Sequence, residues 1–316
     1  MTMTIANDHT AALGAKPGWQ PNALTGIFYM CLAVSIFPPM NAIVKYLGSI
    51  GYPYGQIVWA RYFFHVLIML AMFAPSLGWS ILKTRHPVVQ GVRSILLFTC
   101  TSLYFYAIQF VDLTLAASIS FTSPILLTAL SVPFLGEKVG LRRWIAVAIG
   151  FGGALIIIRP GGDSFHWAAL LVVGNTVSYS FYQLLTRKIA GDDRPETTIF
   201  YTAVVGSVIA SALLVRGFEM PRTIWHGVMF VAVGAMGGFG HFFVVKAFQH
   251  AKASVVAPFG YGQLVGATLC SYFIFDHFPD ELTFVGAAII TASGLYIAYR
   301  EQQVRRQAAP AEPAAH

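Results

Sequence analysis

The chain has 316 residues, of which 56% are apolar and only 10% are charged, against roughly 25% charged in an ordinary soluble domain. A soluble globule of this length could not cover its surface with so few charges, which excludes a soluble enzyme, a nucleic-acid binder and a disordered scaffold. The formal net charge of +7 does not restore a nucleic-acid partner, because the basic residues come one to three per short loop and build no continuous patch.

Residues 1–20 are polar and lack the charged-then-apolar order of a cleavable signal, so 1–23 is expected to be an N-terminal tail. Ten apolar windows follow, most close to the about 20 residues that cross a bilayer. Window 24–47 contains Pro38 and Pro39, predicted to interrupt the first span, then Asn41 and Lys45 four residues apart on one face. Window 55–75 carries Arg61, roughly 8 Å in from its first end at about 1.5 Å per residue, and His65 one turn deeper on the same face. Window 90–110 places Thr99, Ser102, Tyr106 and Gln109 on a common face. Window 113–135 sets Ser118, Ser120, Thr122 and Ser123 beside Pro124, and Pro124 and Pro133 are predicted to interrupt this span.

Window 142–158 is uniformly apolar after its first turn. Window 165–187 carries Asn175, Ser178, Tyr179, Tyr182 and Gln183, spaced 0, 3, 4, 7 and 8, which is a single helical face. A polar face on a buried helix lines a wet cavity or makes interhelical hydrogen bonds, and the two tyrosines suit a stacking ligand. Window 196–216 is plain. Window 224–246 holds Gly234, Gly237, Gly238 and His241; small residues at this spacing let helices approach closely. Window 252–275 carries Pro258, then Tyr261 and Gln263 on nearly opposite faces, of which Tyr261 is the expected cavity residue. Window 282–299 is the tenth, and 300–316 is expected to be a disordered tail. The cysteines, Cys31, Cys100 and Cys270, all fall inside windows and read as packing residues, so no disulfide, metal site or cofactor is implied.

Loop charge sets the orientation. With the N-terminus in the cytoplasm, fifteen Lys and Arg fall inside and only Lys45, Arg159, Arg216 and Arg222 outside, with Arg61 within a span. Ten spans with both termini cytoplasmic follow. The chain also repeats itself: Ala117-Ser118-Ile119-Ser120 echoes Ala253-Ser254-Val255-Val256 at an offset of 136, and the same offset carries Gly150 onto Gly286. Upstream, Ala107-Ile108-Gln109 echoes Ala247-Phe248-Gln249, with a four-residue gap between the matches. Each copy then holds five spans, 24–158 and 165–299, and an odd number obliges the second copy to cross in the opposite sense. The loop holding Glu137, Lys138, Arg142 and Arg143 matches one holding Asp276, Asp280 and Glu281 without Lys or Arg, as an inverted repeat requires.

Taken together, Asn41 to Lys45 with Gln56 and Arg61, Ala116 to Pro124 followed by Gly136-Glu137, Trp144 to Gly153, and Ala247 to Pro258 with Gly286 resemble the drug/metabolite transporter superfamily, specifically EamA-type permeases. The resemblance covers nearly all of 24–299. It implies an all-α integral membrane fold of ten helices in two inverted repeats, with a central cavity. The Lys45/Arg61 pattern is similar to the bacterial branch of S-adenosylmethionine and riboflavin importers, while amino-acid exporters of the same superfamily leave the direction open.

The expected function is therefore secondary transport of a small polar organic metabolite across a bacterial inner membrane by alternating access. A metabolite or drug exporter is the alternative within the superfamily, and a non-transporting receptor or assembly subunit is the alternative outside it. Lys45 and Arg61 are expected to face a shared vestibule and attract a carboxylate, phosphate or other electron-rich group. Asn41, His65, Tyr106, Ser123, Asn175, Tyr179, Gln183, His241 and Tyr261 complete the candidate substrate site, and Pro38, Pro39, Pro124 and Pro258 the helix breaks. No catalytic motif of the zinc-protease, serine-hydrolase or Walker kind occurs, so the chain is not read as an enzyme. Its partners are lipid and a small-molecule substrate, and it is read as a monomer or homodimer. No clearly intramembrane Asp or Glu is visible, so proton coupling would have to run through His65 or His241.

Overall fold

The computed structural model describes residues 23–135, 140–159, 166–189, 192–214, 217–250 and 259–308. Eleven α-helices lie within them: α1 Ala23–Ser49, α2 Tyr54–Leu77, α3 Pro87–Ala107, α4 Leu113–Ser120, α5 Ser123–Leu135, α6 Leu141–Ile158, α7 Ala168–Lys188, α8 Pro195–Leu214, α9 Ile224–His250, α10 Gly262–Phe275 and α11 Glu281–Ala308. A short 3-10 helix, Gly78–Leu82, follows α2. The protein is an all-α membrane protein: eight segments are long and apolar enough to cross a bilayer, and Trp144–Ile158 and Gly262–Phe275 are shorter apolar helices.

Local chemistry places the helix ends. Asp112 caps α4 by accepting the Leu115 amide at 2.7 Å, and Asp280 does the same for α11 through Thr283 at 2.9 Å. Pro87 opens α3 and Pro195 opens α8, positions where a missing N–H costs nothing. Arg159 and Asp276 stop α6 and α10 in the left-handed region, at φ 47° and 52°.

Interruptions were expected in the first half at Pro38-Pro39, at Pro124 and at Pro133; only the one beside Pro124 occurs, and Pro133 lies inside the continuous helix α5. The fourth window splits into α4 and α5 at Phe121–Thr122, with Pro124 in the first turn of α5. Pro38 and Pro39 do not interrupt the first span: both lie inside the continuous helix α1. The chain tolerates them because a neighbour makes room, Gly266 of α10 packing directly on the Pro38 ring. Pro258, Gly136-Glu137 and the 253–256 motif lie outside the described residues.

Side-chain contacts fix the sense of each helix. Tyr29 meets Phe243 and His250, Phe37 meets His241, and Tyr52 meets His226 and Phe230, so α1 and α9 are antiparallel. Tyr106 meets Trp167, Cys100 meets Asn175 and Arg93 meets Thr186, so α3 and α7 are antiparallel too. The helix α9 also runs parallel to α2, as α3 does to α8. The helix α1 runs parallel to α10, as α7 does to α4 and α5. Three further pairs, α2 with α8, α6 with α11 and α4 with α10, are antiparallel. Exchanging each helix of 24–158 for its counterpart in 165–299, with α4 and α5 counted together, leaves this whole pattern unchanged. Lys45 and Gly48 at the end of α1 touch the end of α3, which makes those two parallel and α7 opposite in sense to α1.

Candidate functional site

The buried polar groups form a centre and two ends. The centre is built on α2. Arg61 and His65 are 3% and 2% exposed, one helical turn apart, and the Arg61 Nη1 donates to His65 Nδ1 at 3.1 Å. That bond makes Nδ1 an acceptor, so in the neutral ring the proton sits on Nε2. Neither Arg61 Nε nor His65 Nε2 has a hydrogen-bond partner, although both are buried. Across from them, α9 supplies space. A Cβ at Gly237 would run into the Arg61 guanidinium, and one at Gly238 would stand 3.0 Å from His65 Cδ2. The glycine face is thus a packing surface that admits two large polar side chains. The His241 ring lies parallel to that of His65 with centroids 6.4 Å apart, and its other neighbour is Phe37 of α1.

A second polar strip joins α7 to the broken fourth span. Asn175 donates to Ser120 at 3.1 Å and accepts from Cys100 at 2.8 Å, Gln183 donates to Ser123 at 3.1 Å, and Ser123 and Ser180 are 3.3 Å apart. Tyr179 stacks on Tyr182 at 5.7 Å. The Tyr261 ring rests on Phe121 at 4.9 Å, across the break, while its buried hydroxyl has no hydrogen-bond partner and abuts Gly294. Asn41 is buried on α1.

Two sequence expectations, Lys45 and Tyr106, separate from this centre. Lys45 does not share a vestibule with Arg61: its ammonium donates to the carbonyls of Ile108 and Val111 at 2.5 and 2.7 Å and lies 5.6 Å over the Phe275 ring. It closes the exposed carbonyl end of α3. Tyr106 is 40% exposed and sits in an aromatic group with Tyr54, Phe110 and Trp167. Such groups occur where a bundle meets the membrane interface. Pro124 is exposed, so it breaks the span without lining the centre.

One buried cation escaped the sequence reading. Arg93, counted there as a cytoplasmic charge, is fully buried in α3. It donates to Gln90, Thr186, the Thr198 carbonyl and Thr202, at 3.3, 3.3, 2.5 and 2.8 Å, and packs 4.9 Å over Tyr182. The signal was its spacing: Gln90, Arg93, Leu97 and Cys100 fall at helical intervals on one buried face.

Each end of the bundle is closed by a clasp. At the end where α1 begins, Asp193 accepts from Thr84, from the Arg85 amide at 2.9 Å and from Gln90 at 2.9 Å, and His86 lies 2.8 Å from Asp192. Partial burial alone would raise the Asp193 carboxyl, but the bonds from Thr84, Arg85 and Gln90, with His86 nearby, outweigh it and hold it below its usual range. These loops surround an open cavity of about 250 Å³ lined by Ser80, Lys83, Thr84, Arg85, Asp192, Asp193 and Arg194. At the opposite end Gln56 exchanges two bonds with the Glu219 backbone, at 2.7 and 2.8 Å, and Tyr52 accepts from the Arg222 amide at 2.6 Å and pairs with His226 at 2.9 Å. There Arg159 also pairs with Asp280. Burial would again raise the Asp280 carboxyl, and Thr283 and Arg159 together hold it low.

Known proteins share this construction. The model of the EamA-like transporter family matches the chain twice, over residues 24–159 and 166–299. An S-adenosylmethionine uptake transporter of Rickettsia conorii is 30% identical over 280 residues, 89% of this chain and 94% of that protein. A riboflavin transporter of Rhizobium johnstonii is 30% identical over 92% of this chain and 95% of its own length. A pseudopaline exporter of Pseudomonas aeruginosa is 27% identical over 85% and 94%. A solved crystal structure, 18% identical, superposes with a TM-score of 0.61 over 91% of this chain and 98% of that one, and speaks to the fold alone. A buried polar centre inside paired halves, and similarity to transporters along most of the chain, place this protein among small-metabolite transporters: it belongs to the EamA-like transporter family of the drug/metabolite transporter superfamily.

Proposed function

We propose that this transporter is a secondary carrier of a small polar organic metabolite, of S-adenosylmethionine-, riboflavin- or amino-acid-like character, working by alternating access in the bacterial inner membrane. In this reading it crosses ten times as two inverted five-helix repeats, 24–158 and 165–299, with both termini cytoplasmic. The observation that carries it is the exchange symmetry of the helix pairs: two halves of opposite sense can open a shared centre first to one side and then to the other. The distribution of charge supports the orientation. Lys83, Arg85, Lys188, Arg194 and Lys246 gather at the end where α1 begins, where the positive-inside bias puts the cytoplasm. The substrate path runs between α2, α7 and α9, past Arg61, His65, His241 and the polar strip of α7. The uptake relatives favour import and the exporter relative keeps the opposite direction as a second reading.

Counterflow in proteoliposomes tests this. Liposomes are preloaded with S-adenosylmethionine, riboflavin or a mixed amino-acid pool in separate batches, and entry of the labelled compound is followed. Saturable exchange of one compound is the expected result. Binding without exchange would move the protein to the receptor class, and non-saturable flux would make it a channel.

A further inference from the structure

We propose, resting on the transport reading above, that the substrate bears a carboxylate and that this carboxylate lies against Arg61 and His65. Arg61, Arg93 and Lys45 differ in what surrounds them. The Arg93 guanidinium is spent on two hydroxyls, a carbonyl, an amide oxygen and a tyrosine face. The Lys45 ammonium is spent on two carbonyls. Arg61 has a single hydrogen-bond partner, the neutral His65 Nδ1, lies 5.5 Å over the Tyr62 ring, and keeps a buried Nε–H without an acceptor. Because Arg61 fixes the neutral His65 tautomer, His65 Nε2–H is a second donor without an acceptor. Both orphans are donors, so what the centre lacks is an oxygen acceptor, and the guanidinium asks that it be charged.

The chain itself cannot supply that charge. None of its thirteen Asp and Glu lies deeper than the first residue of an apolar window. One fixed positive charge beside the neutral His65 ring matches one negative charge. A carboxylate meets that requirement, whereas a phosphate dianion would leave its second charge uncompensated. The glycines opposite fit the same reading: Gly237 and Gly238 leave room for the two polar side chains without offering them an acceptor.

The test uses the purified full-length chain in detergent, without added substrate, and then with four probes. The Arg61→Gln variant is expected to melt at the wild-type temperature or above it, since it removes an uncompensated charge. S-adenosylmethionine is expected to stabilise the wild type at concentrations at least about tenfold below those needed for its decarboxylated form. That ratio should fall to about one in Arg61→Gln. Flavin mononucleotide should do no better than riboflavin. A lower melting temperature for Arg61→Gln, or its failure to fold where Arg61→Lys folds, would make Arg61 architectural and overturn the proposal. Equal action of the two adenosyl compounds, or tight binding of the phosphate probe alone, would overturn it as well. No response to any probe with an undiminished Arg61→Gln melting temperature would count against the substrate panel of the transport reading, and would support the unpaired cation.

Discussion

Arg61 and Lys45 lie in neighbouring helices and have opposite fates, which follow from what each can reach. Lys45 reaches the carbonyl end of α3 and satisfies it. Lys45→Met should therefore lower stability by about 1.5–3 kcal/mol, the usual worth of charge-assisted bonds, and leave the KM for exchange unchanged. Thermal unfolding and counterflow on the same preparation check the two halves of that statement. Gly237→Ala should act in the reverse manner on transport. Its methyl would occupy the Arg61 guanidinium position, so exchange should fall by about tenfold or more, the scale of a misplaced binding group, read from initial counterflow rates. That both cations lie within apolar helices was legible from sequence; which face each takes was not. Spacing of 3.6 residues groups Asn41 with Lys45, but only the packing of α3 against α1 decides what Lys45 meets.

At the scale of helices and loops, the clasp at the end where α1 begins, the inner one in the proposed orientation, joins the segment between α2 and α3 to that between α7 and α8 through one carboxylate. The pKa of Asp193 is lower in the folded protein than in the unfolded chain, where Asp titrates near about 3.9. Its contribution to stability is therefore complete above that value and is lost as the pH falls through the depressed folded value. The melting temperature of the wild type should exceed that of Asp193→Asn at pH 7, and the gap should close as the pH is lowered through the acid range. The element boundaries themselves were largely legible, because apolar windows of bilayer length leave a helix few alternatives. Pro38 and Pro39 were misread because the cost of a proline depends on its neighbours. The ring needs space, and Gly266, more than two hundred residues away in sequence, provides it. Arg93 was misread because its interhelical partners, Thr186, Thr198 and Thr202, come from two helices that no local pattern links to α3.

For the whole molecule, the hydrogen bonds of both clasps are made in one conformation, and Arg61 and His65 are buried. Under the alternating-access reading proposed above, a carrier cycle opens one clasp while keeping the other. Joining the inner clasp with a short thiol cross-linker between Thr84→Cys and Asp193→Cys should stop counterflow, and cleavage of the linker should restore it. The same operation on Gln56→Cys and Glu219→Cys should stop it equally, from the other side. Arrest by one pair alone would mean that only one end moves. The repeat and the reversal of sense were foreseeable from motif offsets and loop charge. The clasps were not, since each is made by residues 103 to 174 positions apart.

Where α6 meets α11 the two backbones nearly touch. A Cβ at Gly153 would come within 3.0 Å of the Gly286 carbonyl, one at Gly286 within 2.7 Å of the Gly153 carbonyl, and Ser293 ties the pair by a 2.5 Å bond to the Ala146 carbonyl. A joint this tight cannot slide without lifting one chain off the other, so it behaves as a fulcrum. Levers turn about such a point without shortening it. Spin labels on lipid-facing positions of these two helices, such as Ile149 and Tyr296, should keep one sharp distance throughout turnover, while labels across the clasps should report two.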